Sequence, residues 1–83
     1  MNNIYIIEEV LSDYTPGMAV IAAPSLDTCR EIFAELSIKL VWSPTQFELW
    51  VDEFDSAITD GDYKVIEGVD HQTGVVSYVV GGG

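Results

Sequence analysis

The sequence predicts an α+β domain of order ββααββ: a four-stranded, mostly antiparallel sheet with two helices packed on one face. Three observations point there. Segments rich in Ile, Val and Tyr occupy both ends of the chain and are bounded by turn residues. The middle, from Ser25 to Gly61, repeats apolar residues at helical spacing behind two serine caps. No linker, repeat or shift in composition divides the 83 residues, so residues 1–83 read as a single domain with one modest core.

Taken in order, Ile4 to Val10 alternates imperfectly but is strong in strand formers, and Leu11 to Gly17 collects Ser, Asp, Thr, Pro and Gly into a turn. Met18 to Ala23 is an almost wholly apolar strand, expected near the sheet centre and paired with the first through a long loop. Ser25 caps a helix whose stripe is Cys29, Ile32, Phe33, Leu36 and Leu40, with Arg30, Glu31 and Glu35 outward. Ile38 to Trp42 reads either as the end of that helix or as a short extended piece. Ser43, Pro44 and Gln46 form the start of a second helix, with Gln46 expected to reach back to the Ser43 amide and Trp42 expected to close over Phe47. Its apolar stripe is Phe47, Trp50, Val51, Phe54 and Ile58, and Gly61 ends it. Tyr63 to Val69 and Val75 to Val80 are strands, with Asp70 to Gly74 between them expected to be a hairpin loop. Gly81 to Gly83 reads as a flexible tail.

Fourteen acidic residues against three basic ones give a formal charge of −11. Small domains need only roughly 2–8 units for solubility, and the excess works against compaction. Direct nucleic-acid binding requires clustered Lys and Arg, and the chain has only Arg30, Lys39 and Lys64. Anionic membrane surfaces are excluded as partners on the same ground, and no segment approaches the roughly 20 apolar residues that span a bilayer. Cys29 is the only cysteine, which rules out an internal disulfide and suits a reducing cytosol. The first residues, MNNIYIIEEV, lack the basic region of a secretory signal.

Catalytic patterns are missing from the sequence. Cys29 lies on a helix stripe as a small hydrophobe, and His71 beside Asp70 lies in a turn where a solvated imidazole is ordinary. Zinc sites need paired Cys and His, and one of each is present. The terminal glycines lack the strand-to-helix setting of a phosphate loop. Asp60-Gly61-Asp62 has the alternation of a calcium loop without its full ligand set, so no cofactor or metal is expected. Glu48 and Asp52 could serve as paired carboxylates, but an exposed helix face without a cleft suits a structural use better than glycosidase-like chemistry.

Binding is what remains. Glu48, Asp52, Glu53 and Asp55 line the outer face of the second helix, and Asp60 and Asp62 continue the charge beyond it. Carboxylates three and four residues apart on a helix stand about 5–6 Å apart at Cβ, a spacing comparable to that of phosphates along a nucleic-acid strand. Acidic helix faces are usually just solvated. The surplus over the rest of the chain, from Glu8, Glu9, Asp13, Glu31, Glu35, Glu67 and Asp70, is what favours a basic partner.

Two blocks, AVIAAPSLDTCREIF from Ala19 to Phe33 and GVVSYVVGGG from Gly74 to Gly83, resemble segments of small accessory proteins encoded by bacteriophages. Among such proteins are acidic anti-CRISPR and other anti-defence inhibitors that occupy nucleic-acid-recognising surfaces as DNA mimics. The resemblance implies a non-enzymatic inhibitor working in the host cytoplasm against a basic surface of a nucleic-acid-binding protein or CRISPR effector complex; it transfers no site residues. On the residues alone, the expected partner-binding set is Glu48, Asp52, Glu53, Asp55, Asp60 and Asp62. The alternative is a small assembly protein that self-associates through an edge strand or through exposed aromatics, Tyr63 and Tyr78 or, if the second helix is not fully buried, Trp50.

Overall fold

A computed structural model of the chain describes residues 1–82. The elements follow the order β1 (Asn2–Val10), β2 (Gly17–Ala23), α1 (Leu26–Leu40), α2 (Pro44–Asp60), β3 (Tyr63–Val69) and β4 (Gly74–Val79), which is the predicted α+β arrangement. All four strands form one antiparallel sheet in the order β3-β1-β2-β4. The segment that reads ambiguously from Ile38 is helical as far as Leu40, and Val41 is already extended.

The prediction of a hairpin over Asp70–Gly74 is wrong. β3 pairs with β1 and β4 with β2, so the last two strands lie at opposite edges and never touch. Three strand spacings amount to about 14 Å, and the five steps from Val69 to Gly74 reach about 17 Å when extended, enough to cross the end of the sheet. Asn2 holds the crossing segment: its Nδ2 donates to His71 O at 2.7 Å and to Thr73 Oγ1 at 3.0 Å. Turn residues between two strands signal that the chain changes direction, but they do not say which neighbour the next strand takes.

Both helices sit on one face. Tyr5, Ile7 and Val10 from β1, with Ala19, Ile21 and Ala23 from β2, alternate inward to meet Cys29, Phe33 and Leu36 of α1 and Trp50, Phe54 and Ala57 of α2. Phe33 and Phe54 join the helices at the centre of this layer, their ring centroids 4.8 Å apart and tilted by 37°. The α2 cap forms as predicted on one side, with Ser43 Oγ accepting from Gln46 N at 3.1 Å. Gln46 Oε1 accepts from the Trp42 amide at 3.2 Å, however, rather than from Ser43. Trp42 borders a shallow concavity with Phe47 but stays 81% exposed, so the expected staple buries little of the indole. Gly61, at φ +77°, takes the left-handed conformation that ends α2.

The terminal glycines are also not a free tail up to residue 82. Gly81 N donates to Leu11 O at 2.9 Å, and Thr15 Oγ1 donates to Gly82 O at 2.7 Å. Gly81 is buried, and a Cβ there would lie 1.6 Å from Thr15 O, so only glycine fits against this loop. Gly83 lies outside the described residues.

Candidate functional site

The acidic residues of α2 fall into two groups. Asp55 faces α1, where Arg30 Nε donates to Asp55 Oδ1 at 2.8 Å and Nη2 to Oδ2 at 2.9 Å. This two-point bond holds the Asp55 carboxyl below the usual carboxylate range and raises the Arg30 guanidinium. It is the one ion pair among the described residues. Asp55 is therefore already engaged inside the chain and separates from the expected binding set.

Glu53 is partly committed as well. Its Oε1 accepts from Ser12 N at 3.2 Å, while Trp50 Nε1, one turn earlier, donates to Ser12 O at 2.8 Å. Both backbone groups of one loop residue are thus fastened to α2, which fixes the β1–β2 loop against the helix. Trp50 is only 2% exposed and cannot serve as an exposed anchor; Tyr63 is half-buried, while Tyr78 stays exposed.

Asp52, Glu53, Asp60 and Asp62 are brought together. With Glu9, Leu49, Ser56 and Ala57 they border a cleft of about 270 Å³ between α2 and the end of β1. Glu9 and Asp62 also border an adjoining groove of about 630 Å³, with Glu8 and Met18. Neither concavity is lined by a Lys or Arg. Glu48 is exposed one turn before Asp52 and extends the acidic stripe without entering the cleft.

Glu8 and Glu9 are absent from the sequence-based set, and the backbone explains their placement. The register of β1 against β2 shifts between Glu8 and Val10, and Glu9 is the extra residue, at φ +58°. Leu11 follows at φ +53°. These left-handed turns let Val10 and Leu11 both bury completely and leave Glu9 on the surface beside α2. Two adjacent glutamates at the end of an apolar strand carried the signal, since a regular pleat would send one of them into the core.

Other chemistry is sparse. Burial pushes the Cys29 thiol up to about 12, which keeps it protonated and unreactive at neutral pH. His71 is exposed, with Nδ1 2.8 Å from Gln72 O. Among the described residues no three His, Cys, Asp or Glu side chains are grouped to hold a metal ion, and no helix is long and apolar enough to cross a membrane. Comparison with known proteins finds no matching family model, no matching curated protein and no matching solved structure.

Proposed function

We propose that this chain is a non-enzymatic binding protein that presents the α2 and β1 acids to a basic, nucleic-acid-recognising surface, in the manner of a DNA mimic. The observation that carries this reading is the continuous concave border of Glu8, Glu9, Asp52, Glu53, Asp60 and Asp62, which no cation lines. Uncompensated carboxylates on rigid elements raise the local concentration of a basic partner and speed its approach. The partner class favoured by the phage resemblance is a bacterial defence complex such as a CRISPR effector, with the chain acting as an inhibitor in the host cytoplasm. Docking would leave the Arg30–Asp55 pair intact, so the binding set is now Glu8, Glu9, Glu48, Asp52, Asp60 and Asp62, with Glu53 contributing its second oxygen.

The test is displacement of duplex DNA from purified CRISPR effector complexes by the intact protein, at low and high salt. Displacement should weaken as salt rises. An Asp52→Lys/Asp60→Lys variant should lose at least tenfold, while Glu31→Lys/Glu35→Lys on α1, which changes net charge equally, should lose less than about threefold. Equal losses from both variants would mean that overall charge, and not this cleft, drives the effect. No displacement by the unmodified protein would remove the reading.

A further inference from the structure

We propose that the open edge of β4 and the flank of α1 beside it form a docking groove for an extended, largely apolar peptide segment that carries one Asp or Glu side chain. The inference goes beyond the acidic-cleft reading and does not rest on it. β4 is an outer strand, bonded on one side to β2. Alternate N–H and C=O groups of such a strand point away from the sheet and are open to pairing with a further strand. Among the described residues, Val75 to Val79 make no backbone hydrogen bond outside the pairing with β2. All five are exposed, and from His71 onward the chain has no Asp, Glu, Lys or Arg.

The opposite edge is defended. β3 carries Lys64 and Glu67, and one extra residue against β1 near Gly68, at φ +68°. Charges and bulges together keep foreign strands off an edge. β4 has no charge and a single extra residue, Val76, against β2. Such a residue bends and twists its strand. The rigid edge of a second copy cannot follow that bend, and a strand of 6 residues offers too little area for a stable dimer. A peptide can follow it, with main-chain hydrogen bonds supplying the affinity.

The groove selects the side chains. Ile32, Leu36 and Lys39 recur along one flank of α1 and, with Gly74 and Val75 of β4, line a cleft of about 300 Å³. Its apolar walls suit an aliphatic side chain from the added strand, the usual source of specificity in strand addition. Lys39 supplies the charge. Arg30 is held by Asp55, whereas Lys39 makes no ion pair among the described residues, not even with Glu35 one turn earlier. A carboxylate on the peptide complements this ammonium group, while a segment with several acids would be repelled by the net charge of −11.

Titration of the isotope-labelled full chain with a short peptide of alternating Val and Thr, blocked at both ends and carrying one Glu, tests this; the same peptide with Gln in place of Glu is the comparison. Saturable amide shifts should centre on Val75 to Ser77, with methyl shifts at Ile32 and Leu36. The Glu peptide should bind about threefold more tightly than the Gln peptide at low salt, and Lys39→Gln should erase that preference. Val75→Glu, which puts a carboxylate into the groove, should weaken both peptides by roughly tenfold or more, while Ile66→Glu on β3 should leave them unchanged. No saturable shift with either peptide up to millimolar concentration, shifts centred on β3 or on the Asp52 and Asp60 cleft, or a Glu preference that survives Lys39→Gln would each overturn the proposal. So would β4 amides that move with the concentration of the chain alone, since a second copy would then hold the edge.

Discussion

Replacing Trp50 by Phe probes the attachment of the β1–β2 loop to α2. The indole is 2% exposed, and its Nε1 donates to Ser12 O at 2.8 Å. Phe keeps most of the apolar body but removes the donor, and leaving that partly buried carbonyl unpaired costs about 1–2 kcal/mol. The lost ring volume of roughly 40 Å³ adds about 1 kcal/mol at 24 cal/mol per Å³ of unrelaxed cavity. The sum is about 2–3 kcal/mol, against a total stability of about 4–12 kcal/mol for a chain of this size. With a urea dependence of about 1 kcal/mol per M, the midpoint should fall by about 2–3 M. Far-UV circular dichroism should follow the transition, since the substitution removes a fluorophore. Glu53→Gln retains an oxygen that accepts from Ser12 N and should lose less than about 1 kcal/mol. A midpoint for Trp50→Phe within about 0.5 M of the parent would refute the clamp.

Two further outcomes follow from single groups. The Ser37 hydroxyl is fully buried without a hydrogen-bond partner, so Ser37→Ala removes an unpaired polar atom and improves helix propensity. It should stabilise by about 1 kcal/mol and raise Tm by several degrees; a lower Tm would mean that the hydroxyl is satisfied after all. Asp55 is held below its unfolded pKa by the Arg30 bond, so the pair contributes fully above the unfolded value of about 3.9 and loses its contribution as pH falls through the lower folded value. Arg30→Gln should therefore lower stability at neutral pH and converge with the parent in strong acid. A gap that persists unchanged in acid would show that packing, and not ionisation, makes the difference.

Local signals in the sequence were reliable where one element decides its own form. Ser43, Pro44 and Gly61 set the limits of α2, and the Cys29, Phe33 and Leu36 stripe correctly gives the buried side of α1. Pairing between distant strands was not legible: Tyr63–Val69 and Gly74–Val79 look like a hairpin because they are adjacent, yet both find better partners in the apolar pair β1 and β2. The acidic site was half legible. Helical spacing located Asp52 and Asp60, but nothing in the spacing showed that Asp55 would be taken by Arg30, twenty-five positions earlier, or that a bulge would bring Glu9 across from β1.

The route of the chain across the end of the sheet has a consequence for how the protein is made. Asn2 must wait for Val69, and Met18 for Val79, so neither inner strand gains its outer neighbour until roughly sixty further residues have been made. The β1–β2 pair and the helices can assemble first, and the flanking strands are then zipped on from opposite sides by the final twenty or so residues. Until those arrive, the inner pair has both lateral margins bare, and shortening the C-terminus by even one strand would leave one of them open for good.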